Sequence, residues 1–351
     1  MRLRRRKRLQ TVIFEATQAC NHDCRHCYNV WKSPAFADGG FGGQAPAYPD
    51  GQLDTADTKR LLDRIFDETG ARNFTVSGGE PLLRADIFEL MAHVAQRKVS
   101  VNFLTNGSLL DEEAARRCVQ AGVTLFEIPL LSDERDTHSY LTGSTSFDRV
   151  LEAIPNGKLA GAQVVAVFVV TKLNASHLRG MIEMAFALGA DGIMVNRFNV
   201  GGRGIENMQE LMPSAEQVQQ GLAVADECAQ RFGLPMSCSV AVPPCVVDTS
   251  AFKHVGFGFC AAGSDRAYHT FDAVGNVRMC NHSPTIMGNI LSQPFAAIVQ
   301  SPAAREFVAA LPEACAGCKR LRECQGGCKA AAEQCYQSLT ACDPFLTYST
   351  Q

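Results

Sequence analysis

Three cysteines near the start of the chain, Cys20, Cys24 and Cys27, form the clearest chemical pattern in the sequence. Their spacing, C-x3-C-x2-C, places three thiolates in one short loop. Thiolates of this kind hold iron–sulfur clusters, and a four-iron cluster held by three of them keeps one iron without a protein ligand. A metal with an open position is a place for chemistry, whereas a fully ligated metal is structural. The loop therefore predicts a reactive iron–sulfur cluster.

A zinc knuckle is the alternative for this loop, because His22 and His26 stand among the cysteines. Structural zinc sites usually use paired C-x2-C units and a fourth ligand nearby. The loop instead follows a short apolar stretch that ends at Phe14, and a second motif accompanies it. Both features favour iron and sulfide over zinc.

The second motif lies about fifty residues further on, where a candidate strand ends in Ser77, Gly78, Gly79, Glu80 and Pro81. Glycines let a backbone approach a ligand closely, and a glutamate offers acceptor oxygens to an ammonium group. Weaker candidates follow the next two candidate strands, at Asn106 and Ser132. The ends of consecutive parallel strands are thus expected to carry the polar groups of one site.

A second group of cysteines occupies the last third of the chain, at Cys260, Cys280, Cys315, Cys318, Cys324, Cys328 and Cys342. Cys245 and Cys238 lie upstream of it. Two structural zinc ions would explain the C-x2-C at Cys315 and Cys318, but not so long an arrangement in a chain with the first cysteine loop. The pattern indicates further iron–sulfur clusters.

Together these motifs resemble the radical S-adenosylmethionine (radical SAM) superfamily with a carboxyl-terminal SPASM extension, along nearly the whole chain. The cysteine loop and the Gly-Gly-Glu-Pro motif are specific to that superfamily in this order and at this spacing. The resemblance implies three 4Fe-4S clusters, one that binds S-adenosylmethionine (SAM) and two auxiliary ones. It also implies that the SAM contacts come from His26, Ser77, Gly78, Gly79, Glu80, Asn106 and Ser132.

The same resemblance assigns the auxiliary ligands by position. Cys260, Cys280 and Cys328 would hold the first auxiliary cluster, and the second would take Cys315, Cys318, Cys324 and Cys342. The fourth ligand of the first auxiliary cluster is predicted to be Cys245, with Cys238 as the second choice and an open position as the third.

The sequence predicts α/β structure for the elements that position these residues. Six apolar runs alternate with helical patterns and predict parallel strands, at Leu9–Glu15, Asn73–Ser77, Val99–Thr105, Leu125–Leu131, Val164–Thr171 and Gly192–Phe198. We therefore expect a partial (β/α)6 TIM-like barrel over residues 1–235 and a small irregular SPASM domain over 236–351. The all-apolar run at Val164–Val170 predicts a strand covered on both faces.

The bulk composition narrows the class of protein. A net charge of -3 over 351 residues gives no electrostatic reason to expect nucleic acid or an anionic membrane as a partner. The sequence contains no apolar run of the ~20 residues that a membrane span requires. Fifteen cysteines in a chain of this size without an export signal indicate metal binding in a reducing cytoplasm rather than disulfides.

The resemblance implies reductive cleavage of SAM to a 5′-deoxyadenosyl radical, fed by a flavodoxin- or ferredoxin-like electron donor, and oxidation of a substrate. A peptide or protein side chain is the predicted substrate; oxidation of a haem side chain or another small molecule is the alternative, and a non-catalytic electron carrier is the second. Sulfatase-maturing relatives have an aspartate after the cysteine that matches Cys280, where this chain has Asn281. Only about ten residues precede the first strand, so we expect any peptide recognition to come from a separate protein.

Overall fold

The computed structural model describes residues 9–34 and 48–348. Within them, eleven strands form one continuous sheet, namely β1 (Thr11–Glu15), β2 (Asn73–Ser77), β3 (Ser100–Leu104), β4 (Leu125–Pro129), β5 (Gln163–Val170), β6 (Gly192–Arg197), β7 (Met236–Cys238), β8 (Val255–Phe257), β9 (His269–Phe271), β10 (Asn276–Arg278) and β11 (Ile286–Asn289). The strand order is β11-β10-β9-β1-β2-β3-β4-β5-β6-β7-β8, so β8 and β11 are edges and the sheet is not closed.

The strands β1 to β8 pair in parallel, and β9 joins β1 in parallel on the other side. Only the last two pairings, β9 with β10 and β10 with β11, are antiparallel among the described strands. Helices cross over between the strands or follow them, at α1 (Thr55–Thr69), α2 (Ile87–Ala95), α3 (Glu112–Gln120), α4 (Arg135–Thr142), α5 (Phe147–Leu159), α6 (Leu178–Ala187), α7 (Met208–Leu211), α8 (Ala215–Phe232), α9 (Phe295–Ile298), α10 (Pro302–Ala309), α11 (Leu321–Cys324), α12 (Lys329–Tyr336) and α13 (Pro344–Tyr348). The architecture is a partial α/β barrel with an irregular carboxyl-terminal extension, as the sequence predicts.

Local sequence explains why the crossover helices start and stop where they do. The first helix begins after Asp54, whose side chain accepts a hydrogen bond from the Asp57 backbone N–H at 2.8 Å. It ends at Gly70, which adopts a left-handed conformation. The apolar face of this helix is buried, at Leu61, Leu62, Ile65 and Phe66.

All six predicted strands are present, with ends that differ by at most two residues. The short strands β7 to β11 were not predicted, because three or four residues carry too little periodicity to be recognised. The basic segment at residues 2–8 and most of the Gly- and Pro-rich stretch at residues 33–51, whose composition is typical of a loop, lie outside the described residues.

The two faces of the barrel strands differ in burial. Outward side chains such as Phe103, Phe126 and Phe168 are fully buried beneath the helices. Inward side chains on the same strands, such as Asn102 and Val167, are partly exposed. The expectation that β5 is covered on both faces is therefore wrong: the lumen of this open barrel is not filled by side chains, unlike the packed interior of a closed eight-stranded barrel.

The carboxyl-terminal third packs tightly on the barrel, and the sheet runs without a break through the predicted domain boundary at residue 235. Two buried ion pairs hold the carboxyl-terminal third against the barrel. Arg197 on β6 pairs with Asp343, and Arg278 on β10 pairs with Glu15 on β1. Arg197 is thus a structural partner rather than a ligand-binding group. The division into residues 1–235 and 236–351 stays a prediction.

Candidate active site

The loop that follows β1 brings the thiols of Cys20, Cys24 and Cys27 together. Burial raises the pKa of the Cys24 thiol, and charges on Cys27 and Cys20 raise it further, which places the three sulfurs near one another. Burial likewise raises the pKa of Cys27 to about 11. Buried thiols of this kind become thiolates when a metal neutralises them, so the donor set fits an iron–sulfur cluster.

The Gly-Gly-Glu-Pro segment is bonded to this loop along its backbone. Gly79 N–H donates to Thr17 O and Glu80 N–H donates to Ala19 O, each at 2.8 Å. A Cβ at Gly78 would lie 2.4 Å from Thr17 O, and one at Gly79 would lie 2.1 Å from Ala19 O. The sequence indicates that these glycines let the backbone approach a ligand closely. In the structure they let it approach the cysteine loop.

Glu80 is fully buried, and its carboxylate joins the ends of β2 and β3. Its carboxylate accepts hydrogen bonds from Leu82 N–H at 3.0 Å, Thr105 Oγ1–H at 2.9 Å and Asn106 N–H at 2.7 Å. Burial raises the pKa of Glu80 to about 7, against the lowering effect of these donors. Besides offering an acceptor, Glu80 therefore fixes the loop after β3 relative to the loop after β2.

Asn106 extends this connection to the cysteine loop. Its side-chain amide donates to Asn21 Oδ1 at 2.8 Å, and its own Oδ1 accepts from Ser108 N–H at 2.9 Å. Asn21 in turn donates to Ser108 Oγ at 2.9 Å. The residue next to Cys20 is thus held against the end of β3, a contact that sequence reasoning did not foresee.

The other predicted SAM contacts are placed less favourably. Ser132 is fully buried, and its hydroxyl accepts the Glu134 backbone N–H at 3.0 Å within its own turn. Ser77 is buried at the end of β2, where its carbonyl accepts from Ala16 N–H at 2.9 Å. His26 has a buried Nδ1 atom for which residues 9–34 and 48–348 provide no hydrogen-bond partner. Hydrogen bonds join Glu80 and Asn106 to the cysteine loop, whereas the bond of Ser132 stays within its own turn.

A stacked pair of rings connects the cysteine loop with the carboxyl-terminal third. The ring of Tyr28 stacks on that of His282 with centroids 4.1 Å apart. The side-chain amide of Asn281 donates to the Tyr28 hydroxyl at 2.9 Å. Burial raises the pKa of Tyr28 well above its usual value. Since Tyr28 follows Cys27 and Asn281 follows Cys280, the two groups of thiols are joined by this contact.

Cys260, Cys280 and Cys328 form a first carboxyl-terminal thiol group. Burial raises the pKa of the Cys280 thiol, and charges on Cys328 and Cys260 raise it further. Asn199 donates from Nδ2 to the Cys328 sulfur at 3.3 Å. The resemblance assigns these same three residues to the first auxiliary cluster, and that assignment stays a prediction.

A second thiol group contains Cys315, Cys318, Cys324 and Cys342, and it also contains Cys245. Burial raises the pKa of Cys245, and charges on Cys318 and Cys342 raise it further. Cys245, the predicted fourth ligand of the first group, thus interacts electrostatically with thiols of the second group. Cys238 does not replace it, since its thiol donates to Val240 O at 3.2 Å inside the core. The first group thus has three thiols and the second has five.

Three further observations concern the thiols, single-metal sites and the length of the helices. All fifteen cysteines are free thiols. Among the described residues, no three His, Cys, Asp or Glu side chains converge closely enough to hold a single metal ion. In the same part of the chain, no helix has both the length and the hydropathy to span a membrane.

Comparison with known proteins agrees with this geometry. Residues 14–185 match the family model of the radical SAM superfamily, and residues 260–320 match that of the SPASM iron–sulfur cluster-binding domain. The PqqA peptide cyclase of Granulibacter bethesdensis is 26% identical over 346 residues, which cover 96% of this chain and 87% of that protein. The AdoMet-dependent heme synthase of Methanosarcina barkeri is 25% identical over 359 residues, 96% of both chains.

The fold has a counterpart among solved structures. Streptococcus suis SuiB bound to its precursor peptide SuiA superposes with a TM-score of 0.72 at 16% identity, covering 96% of this chain and 75% of that one. The fold, the cysteine loop and the two family matches lead to one conclusion. The chain is an enzyme of the radical SAM superfamily with a carboxyl-terminal SPASM domain, and its cofactors are SAM and iron–sulfur clusters.

Proposed function

We propose that this enzyme modifies a side chain of a peptide, by oxidation or by forming a crosslink. The observation that carries the proposal is the similarity, over 96% of the chain, to a protein named as a peptide cyclase. The likeness in fold to a protein solved with its precursor peptide is consistent with it. The partly exposed lumen of the barrel offers room for a substrate next to the cysteine loop.

The cofactors supply a 5′-deoxyadenosyl radical when SAM is cleaved reductively at the open iron. The chain's own part is to bind, orient and exclude water. Cys20, Cys24 and Cys27 would hold the SAM-binding cluster, and the strand-end segment at Glu80 would receive the amino group of SAM. Asn106 holds the loop after β3 in place for the ribose. Ser132 keeps its proposed contact with SAM, since a hydroxyl that accepts the Glu134 N–H can still donate its own proton.

The auxiliary clusters are assigned to the two carboxyl-terminal thiol groups. Cys260, Cys280 and Cys328 would bind the first, with one iron free of a cysteine ligand. Four of the five thiols of the second group would bind the second cluster, and Cys245 is the member not assigned by the resemblance. Cys245 and Cys318 are exposed, so this group is the one nearest to solvent and to an external electron donor. A separate peptide-recognition protein remains part of the proposal.

Oxidation of a tetrapyrrole side chain is the second candidate. It is favoured by one observation, the match to an AdoMet-dependent heme synthase over 96% of both chains. The two candidates differ in the charge of the substrate, since a haem precursor carries carboxylates.

The proposal is tested by anaerobic reconstitution with iron, sulfide, SAM and a strong reductant, followed by assays for 5′-deoxyadenosine and for a modified peptide encoded near the gene. We expect 5′-deoxyadenosine from the native enzyme and none from Cys24→Ala, whose auxiliary clusters stay visible by electron paramagnetic resonance. Cleavage of SAM without change in any encoded peptide, but with turnover of a haem precursor, would favour the second candidate. Intact clusters without any SAM cleavage would contradict both.

A further inference from the structure

Glu127 is a carboxylate inside the barrel that the site described above does not use. It is the third residue of β4, between Phe126 and Ile128, whose side chains are fully buried on the outer face. By the alternation of a strand, Glu127 points inward, and it is partly exposed to the lumen. The strand register places it beside Leu104 of β3 and Val165 of β5.

Within the part of the chain that the structure describes, the Glu127 carboxylate has neither a hydrogen bond nor an ion pair. The other glutamates near the site are satisfied: Glu15 pairs with Arg278, and Glu80 accepts three hydrogen bonds. Burial alone raises the pKa of Glu127 to about 7, because nothing nearby compensates for its loss of water. A carboxylate that opens into the lumen without a partner in the described protein is available to a cationic ligand.

The lumen around Glu127 contains both polar and aliphatic side chains, and Leu104 of β3 beside it is aliphatic. The inward polar residues Thr75 of β2 and Asn102 of β3 pair in register, and the described residues provide no hydrogen bonds to their side chains. The strand β5 contributes the inward valines 165, 167 and 169, all partly exposed. A ligand that fits this space has an aliphatic stem and a polar end that donates hydrogen bonds.

Glu127 is also close to the SAM-binding segment. Thr105 donates its backbone N–H to Glu127 O at 3.2 Å, and its hydroxyl donates to Glu80 at 2.9 Å. A group held by Glu127 therefore lies beside the strand ends where SAM is expected to bind. This proximity links the carboxylate to the reaction rather than to a remote surface.

We propose that the barrel lumen receives a basic substrate side chain, an alkylammonium or alkylguanidinium group, with the carboxylate of Glu127 as its counter-ion. The inference rests on the proposed function, because lysine and arginine are the peptide side chains with this chemistry. It also separates the two candidate substrates, since an unpaired carboxylate disfavours the carboxylates of a haem precursor.

SAM is the other cation that could approach Glu127, through its sulfonium or its ammonium group. The test must therefore separate cofactor from substrate. Binding to the reconstituted enzyme is measured by titration calorimetry with five probes: SAM, n-butylammonium, n-butylguanidinium, 1-pentanol and pentanoate. The variant is Glu127→Gln, which keeps the shape of the side chain, and the control is Glu152→Gln at an exposed position on α5.

We expect the two alkyl cations to bind at least about tenfold more tightly than 1-pentanol or pentanoate, as a charge-assisted hydrogen bond gives. Glu127→Gln should remove that preference and leave SAM affinity as in the native enzyme, while Glu152→Gln changes neither. Equal binding of cations and pentanol, or cation binding that survives Glu127→Gln, contradicts the proposal. A loss of SAM affinity in Glu127→Gln also contradicts it, because the carboxylate would then serve the cofactor.

The outcome is independent of the test of function. Should no peptide be modified, the probes still report whether the lumen prefers cations. Should a peptide be modified while Glu127→Gln binds cations normally, the inference fails and the proposed function stands.

Discussion

Asn281 donates a hydrogen bond to the hydroxyl of Tyr28 at 2.9 Å and thereby joins the loop of the first three cysteines to the loop of Cys280. Each residue directly follows a predicted cluster ligand. The connection is reinforced by the stacking of Tyr28 on His282 and by Gln334, which donates to His282 O at 2.7 Å. The distance between the SAM-binding region and the first auxiliary thiol group is thus set by specific contacts rather than by a flexible linker.

A double-mutant cycle measures this contact. Asn281→Leu should lower the free energy of unfolding by about 1–3 kcal/mol, because the buried Tyr28 hydroxyl loses its donor. Adding Tyr28→Phe to Asn281→Leu should restore part of the loss, since neither partner is then left unsatisfied. Anaerobic thermal unfolding of the two single variants and the double variant gives the coupling. Additive effects would show that the hydrogen bond does not contribute.

The close packing of the Gly-Gly-Glu-Pro segment on the cysteine loop predicts a strong effect of Gly79→Ala. A Cβ at Gly79 would lie 2.1 Å from the backbone oxygen of Ala19, which cannot move without moving the cysteine loop. We expect loss of the SAM-binding cluster and of SAM cleavage, with both auxiliary clusters retained. Iron analysis and electron paramagnetic resonance report these separately.

Gly256→Ala is the matched control for that experiment. A Cβ at Gly256 would meet its nearest atom at 3.8 Å, and the backbone there does not require glycine. Native cluster content is expected for this variant. If Gly79→Ala also kept its SAM-binding cluster, the proposed dependence of the cysteine loop on this packing would be wrong.

The position of Cys245 leads to a third prediction. Because its thiol lies with Cys318 and Cys342, Cys245→Ala should leave the first auxiliary cluster intact. Cys260→Ala, the matched comparison, should remove that cluster. Both variants are best made together with Cys24→Ala, so that signals of the SAM-binding cluster do not overlap. Loss of the first auxiliary signal in the Cys245 variant would restore the ligand set expected from sequence.

The sequence predicts the barrel well because its information there is local. The run Val164–Val170 and the cap at Asp54 each specify an element within a few residues, and the six predicted strands are all found. The spacing of Cys20, Cys24 and Cys27 likewise keeps three thiols within one loop. Such features need no knowledge of the rest of the chain.

What the sequence could not predict depends on contacts between distant segments. The role of Gly78 and Gly79 follows from where the cysteine loop lies, and the grouping of Cys245 follows from the path of an irregular segment with little periodicity. The open lumen could not be inferred either, because an apolar run looks the same whether one face or both are covered. Glu127 was overlooked for that reason: it stands in a strand pattern as a single inward residue.

The raised pKa of Glu127 predicts a pH dependence of stability that its neutral variant lacks. An ordinary glutamate ionises near pH 4.5, whereas Glu127 in the folded protein holds its proton to about pH 7. Below pH 4.5 Glu127 is protonated in both the folded and the unfolded protein, so it does not lower the free energy of unfolding. Between these values the unfolded chain loses the proton first, so the folded state loses relative stability as the pH rises, by at most about 1.4 kcal/mol per pH unit.

Glu127→Gln should therefore become progressively more stable than the native protein as the pH rises from 4.5 to 7, and the difference should level off above that range. Anaerobic thermal unfolding at pH 5, 6, 7 and 8 (about one unit apart) measures it, and taking the difference cancels the other titrating groups that both proteins share. Addition of n-butylammonium should narrow the gap at pH 8, because a counter-ion stabilises the ionised carboxylate. A difference that is constant with pH would mean that Glu127 is hydrated in the lumen and ionises like an exposed residue.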